Sequence, residues 1–213
     1  EDGNGEGIDS RIGNEIMGWN TTRLNPRYVM RQSFNVAFRP GTCEVQAHVE
    51  ALEDVLLARD SALQCVTSGF QDQLCFYGKS RKQPYQEGIS SGSKADAPDV
   101  MGVGLFSAQN GQMVMWPDRK WEAGRGDMLH DAHPLVRISG GKAYLAVALD
   151  VDEHQKDIQT TILLRKGQSY RYRGGYSWLA AEETEGVDSL FYYRINGKTY
   201  YAYVTDDGEF ITV

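Results

Sequence analysis

No apolar run in this 213-residue chain approaches the roughly 18–20 residues that a bilayer-crossing helix needs, so no membrane span is expected. Clustered Lys and Arg are lacking too. The longest basic run, Lys79-Ser80-Arg81-Lys82, is short and lies in a polar stretch. With a formal net charge of −7 spread along the chain, nucleic acid is not an expected partner, because phosphate-backbone binding needs concentrated positive charge. Cysteine is scarce: Cys43, Cys65 and Cys75 are all there is, and none forms a C-x-x-C pair, so a structural zinc site is not expected. The odd count allows one disulfide and one free thiol in an oxidising compartment, or three free thiols in a reducing one. The first residue is Glu1 rather than Met, which fits an exported chain whose leader has been removed. Export to the periplasm or the extracellular space, with a disulfide, is therefore the expectation. No repeat of fixed period is present.

What is there changes character near residue 78. Residues 1–10 are polar and Gly-rich and predict a flexible tail. In "RIGNEIMGW", residues 11–19, Ile12, Ile16 and Trp19 can share one face of a short helix. "SFNVAF" alternates, with Phe34, Val36 and Phe38 on one side, as in a half-buried strand. Pro40-Gly41 breaks it, and Thr42 can cap the next segment by accepting an orphan backbone N–H. Val45, Val49, Leu52, Leu56 and Leu63 then recur at a spacing that predicts a helix at about 43–64. "QLCFY", 73–77, reads as a strand, and 78–98 as a long polar loop.

Beyond residue 99 turn dipeptides separate apolar runs: Asn110-Gly111, Gly140-Gly141, Lys166-Gly167, Asn196-Gly197 and Asp207-Gly208. They predict eight or nine antiparallel strands over 99–213. The expected fold is α+β: one domain, 11–213, in which the helix at about 43–64 packs on an antiparallel meander, sandwich or barrel-like. Eight of the twelve tyrosines lie at or after residue 170. Tyr170, Tyr172, Tyr192, Tyr193, Tyr200, Tyr201 and Tyr203 therefore form a candidate binding face, since tyrosine offers large, stiff, amphipathic contact area. Cross-strand aromatic pairing that merely stabilises a sheet is the other use of such residues.

Cys43 is the candidate nucleophile. At a helix N-terminus the dipole would stabilise its thiolate, with His133 as base and Asp131 or Asp150 as orienter. The segment "GRGDMLHDAHPLVRISGGKAYLAV" resembles the Gly-Asp strand and His strand of papain-like cell-wall amidases. The residues around Cys43 depart from the aspartate-cysteine-serine run usual there, which puts the nucleophile in doubt. Other matches are weaker. "HDAH", His130 to His133, is followed by Pro134 and lacks the Glu of H-E-x-x-H. "DVDEHQKD", Asp150 to Asp157, lacks the Gly and terminal Glu of a calcium loop. "GISSG" at Gly88 to Gly92 lacks the strand and helix of a nucleophile elbow. No metal or cofactor is expected. The sequence supports an exported protein-binding module, of inhibitor or immunity type, whose acidic balance suits a basic protein partner. The alternatives are a cysteine amidase or peptidase built on Cys43, His133 and Asp150, and a barrel-type carrier of a small ligand.

Overall fold

A computed structural model describes residues 7–18, 21–22, 24–57, 59–61, 63–77, 82–89, 102–117, 136–145, 148–150, 162–180, 190–195, 198–204 and 210–212. Of 59, 148–150, 162 and everything from 190 onward it describes the backbone. The N-terminal half contributes β1 (Ile8–Met17), β2 (Tyr28–Arg39), β3 (Thr42–Ala51), β4 (Val55–Leu57), β5 (Arg59–Asp60), β6 (Leu63–Val66), β7 (Gln73–Tyr77) and β8 (Gln83–Pro84). The rest contributes β9 (Gly102–Ser107), β10 (Gly111–Pro117), β11 (Val136–Ser139), β12 (Lys142–Leu145), β13 (Ala148–Asp150), β14 (Ile162–Leu164), β15 (Ser169–Leu179), β16 (Leu190–Ile195), β17 (Lys198–Val204) and β18 (Phe210–Thr212). Eight of them form one antiparallel sheet in the order β1-β2-β3-β15-β10-β9-β7-β8. Smaller sheets pair β11-β12-β6, β13-β5, β14-β4 and β16-β17-β18.

There is no helix among the described residues, whose regular elements are all strands, so the α+β expectation with a helix at about 43–64 is overturned. The expected helix at about 43–64 is instead β3 followed by β4, β5 and β6. The reason is visible in "TCEVQAHVEA". Cys43, Val45, Ala47, Val49 and Ala51 alternate strictly with Glu44, Gln46, His48 and Glu50, a period of two. A step of four residues is two strand periods and nearly one helical turn, so Val45 and Val49 fit both templates. Pro40-Gly41, with Gly41 at φ +70°, closes a two-residue hairpin turn between Arg39 and Thr42 rather than starting a helix. The short helix expected at 11–19 is β1, where Ile8, Ser10, Ile12, Asn14 and Ile16 alternate with Asp9, Arg11, Gly13 and Glu15. The expected tail ends early, since Ile8–Ser10 already pairs with β2. The strand at 73–77 is β7. Of the expected loop 78–98, residues 82–89 hold β8 and a turn at Gly88, and the remainder lies outside the described residues.

The C-terminal half is not one meander. β11–β12 is the hairpin expected at Gly140-Gly141, both at positive φ, and β16–β18 is the expected three-stranded run. β9 and β10, with β15, instead enter the large sheet beside N-terminal strands. The turn at Lys166-Gly167 sends β14 to pair with β4 and β15 to pair with β3.

Register places Met30, Ala47, Val49, Leu74, Phe76, Val103, Leu105, Met113, Met115, Tyr170 and Tyr172 on one face of the large sheet. That face packs on Leu63, Val136, Ile138, Ala143 and Leu145 of β6, β11 and β12, with Leu57 and Leu164 beside them. The opposite face is also buried at β7, β9 and β10, by Tyr77, Cys75, Phe106, Val114 and Trp116. Burial on both faces explains the unbroken apolar runs "VGLF" and "MVMW". Two polar groups there are satisfied internally: Gln112 Nε2 donates to Tyr77 Oη, and Trp116 Nε1 donates to Ser177 Oγ at 3.1 Å.

Candidate interaction surface

Of the residues singled out for nucleophilic chemistry, only Cys43 is described with its side chain. Cys43 lies inside β3, opposite Phe38 and Tyr176, and is buried. No helix terminus is near it in sequence, and burial pushes its thiol above the ordinary value. His133, His130 and Asp131 lie outside the described residues, and Asp150 is placed only by its backbone, opposite Arg59. Cys43, Cys65 and Cys75 are all free thiols in this structure. Among the described residues no cluster of His, Cys, Asp and Glu could hold a metal.

Tyr170 and Tyr172 are withdrawn from the candidate binding face as well. They are 2% and 5% exposed and point into the core. Tyr170 Oη donates to Asp60 Oδ2, and Tyr176 Oη donates to the carbonyl of Gln64 at 2.9 Å. Burial raises the phenol pKa of Tyr170 and Tyr172, with Asp60 adding to it. Asp60 is held above the ordinary carboxyl range by burial, against which the Tyr170 hydrogen bond acts. This part-buried carboxyl–phenol contact was missed in the sequence, because nothing local marks Asp60 as inward-facing. Tyr192 is registered opposite Tyr201, Tyr193 opposite Tyr200 and Tyr203 opposite Leu190.

What the fold leaves open is the limb formed by β1 and β2 beside β3. β1 is exposed along nearly its whole length, and of its residues only Ile16 packs on the core. On the core-side face of this limb, Ile8, Ile12 and Phe38 are 54%, 53% and 47% exposed, in adjoining rows with Val36 and Phe34. Leu24, on the β1–β2 connection, is 98% exposed. The reverse face is polar and lightly cross-linked. Arg39 spans Asp9 with two hydrogen bonds of 2.8 and 3.1 Å. Arg31 bridges Glu15 at 3.1 Å and Glu50 at 3.7 Å, and Gln46 donates to Glu44 at 3.0 Å. An open groove of about 500 Å³ runs over this face, lined by Asp9, Arg11, Asn35, Arg39, Glu44 and Gln46 among others. The limb combines three features. It offers a strand edge that no other strand pairs among the described residues, an apolar row and a ladder of solvated charges, features of a kind that can recognise another polypeptide.

These features define a class, a β-sheet protein whose large sheet ends in the long strand β1 with no further strand on it among the described residues, and comparison does not narrow it: no family model matches the chain, and no curated protein is significantly similar to it. No helix among the described residues is long and apolar enough to cross a membrane.

Proposed function

We propose that the chain is an exported protein-binding module, of inhibitor or immunity type, that engages its partner through the β1–β2 limb. The observation that supports this is the pairing of exposed Ile8, Ile12 and Phe38 with a strand edge that contributes almost nothing to the core. Large apolar side chains held in a regular row outside the core gain little from folding alone, and burying them in a partner is favourable. The tyrosine-rich β16–β17 hairpin is a second candidate contact, and the acidic chain suits a basic partner. The cysteine amidase or peptidase reading, with Cys43 as nucleophile and His133 as base, gains no support from a buried thiol of raised pKa.

A photo-crosslinker at Ile12 or Phe38 tests this in full-length protein. The expected result is one partner crosslinked at both positions, with Ile12→Ser and Phe38→Ser each weakening its binding roughly tenfold while the fold is unchanged. A partner footprint that avoids residues 8–51 would overturn the proposal.

A further inference from the structure

We infer that β1 pairs with β1 of a second copy, antiparallel about a two-fold axis at Gly13, joining two sheets into one. The inference rests on the limb being the interaction surface and names its occupant.

The two edges of the large sheet are treated differently. One ends in β8, two residues long and containing Pro84, which blunts pairing. The other ends in β1, ten residues long, without Pro or Lys. Antiparallel pairing uses the N–H and C=O of alternate residues on each side of a strand. Paired with β2 alone, β1 therefore presents half of its backbone groups outward, and among the described residues no other strand bonds to them. The charges on β1 alternate in sign, so they select a register rather than forbid pairing.

The register follows from symmetry. A two-fold axis normal to the sheet keeps each face on its own side, so only residues of the same parity can stand opposite each other. Centring on Arg11 or Glu15 sets a charge against itself. Centring on Ile12 sets Asp9 against Glu15 twice. Centring on Ser10 opposes Asp9 and Arg11 but engages only Gly7–Gly13, and Asp9 is already held by Arg39. Centring on Asn14 opposes no charges. Centring on Gly13 sets Arg11 against Glu15 of the second copy twice and overlaps the whole strand, from Ile8 against Gly18 onward. It also sets Ile12 diagonal to Ile12 and Ile16 of the second copy, within reach of long side chains. Arg11 has no ion-pair partner among the described residues, and Arg31 leaves a carboxylate oxygen of Glu15 available.

Gly13 itself needs a reason. A glycine inside a strand weakens it, and often marks close approach of another backbone. A Cβ at Gly13 would meet only the carbonyl oxygen of Gln32, at 3.8 Å, so packing within the chain does not require glycine there. A symmetry axis through that residue sets it against its own copy, a close backbone approach that glycine suits without being obligatory there.

Sedimentation equilibrium of the full chain tests this with three variants: Arg11→Glu, Glu15→Arg and both together. Expected is a concentration-dependent dimer, weakened roughly tenfold or more by either single change and largely restored by the pair. Near-UV circular dichroism checks the fold, to which exposed Arg11 adds no ion pair among the described residues and Glu15 only the exposed pair with Arg31. A monomer at every concentration reached, a dimer indifferent to the single changes, or a pair no better than the singles would overturn the inference. A monomer that still binds another protein through Ile12 and Phe38 would remove the second copy and leave the limb's binding role standing. A monomer with no limb footprint would remove both.

Discussion

At the scale of single residues, tight constraints sit where β15 crosses the core. A Cβ on Gly175 would lie 2.2 Å from the Cys43 carbonyl oxygen and 2.8 Å from the Trp116 ring, and one on Gly174 would lie 2.4 Å from the Trp116 carbonyl. Backbone cannot give way as a flexible side chain can. Gly175→Ala should therefore lower stability by about 2–3 kcal/mol, measured as a fall in the urea midpoint, while Gly13→Ala leaves it nearly unchanged. Asp60 gives a pH signature. Its carboxyl, raised above 3.8 by burial, binds its proton more tightly folded than unfolded. Its contribution is thus full below the ordinary carboxyl value and is lost as pH rises through the folded-state value. Asp60→Asn keeps an acceptor for Tyr170 but cannot ionise. The variant should match the native protein near about pH 4 and gain on it toward about pH 7 in urea unfolding; a constant gap would mean that Asp60 does not titrate there. The thiols are predicted to be inert. Cys43 and Cys75 are buried, and burial pushes Cys65 up to about 11. Iodoacetamide at about pH 8 should leave native protein unlabelled while denatured protein takes label at all three positions, and fast native labelling of Cys43 at about pH 6, where an ordinary thiol is protonated, would revive the nucleophile.

At the scale of elements, what was legible was what is local. Turns announced themselves by dipeptide: Gly140 and Gly141 sit at φ +61° and +70°, where side chains are strained, and β7 was readable from "QLCFY" because it is short and apolar. β3 was misread because residues four apart satisfy two periods at once, and only the intervening Glu44, Gln46, His48 and Glu50 separate them. Sheet membership was not legible at all. β15 pairs with β3 across more than a hundred residues, so Tyr170 and Tyr172 gave no sign that they face the core rather than a partner. β1 lends itself to a direct test. It is hydrogen-bonded along its length yet leaves the core nearly intact if removed, since only Ile16 packs there. Deleting residues 1–18 should give a folded protein with native near-UV circular dichroism and a modest loss of urea stability. Binding through the limb should disappear. Global unfolding on deletion would mean that β1 is structural.

At the scale of the whole molecule, charge and sheet edge act at different ranges. The chain carries −7 overall, yet the described limb is close to balanced, with Arg11, Arg27, Arg31 and Arg39 against Asp9, Glu15, Glu44, Glu50 and Glu53. The long-range field therefore comes from the rest of the protein, and the limb supplies the short-range fit. Exposed pairs such as Arg31–Glu15 contribute only about 0–1 kcal/mol each, so they tune register more than affinity. The field instead governs encounter. Two copies approaching each other are both acidic and repel, whereas a basic partner is drawn in. Salt shortens the screening length, from about 30 Å at 0.01 M to about 8 Å at physiological strength, and weakens both effects. Added sodium chloride should therefore speed the association of two copies and slow the association of a basic partner. Dissociation, set by the buried strand edge and by Ile8, Ile12 and Phe38, should change little in either case. Stopped-flow association measured across a salt series reads the sign directly. A self-association rate that falls with salt would mean that opposite charges, rather than backbone pairing and the apolar row, dominate the encounter between copies.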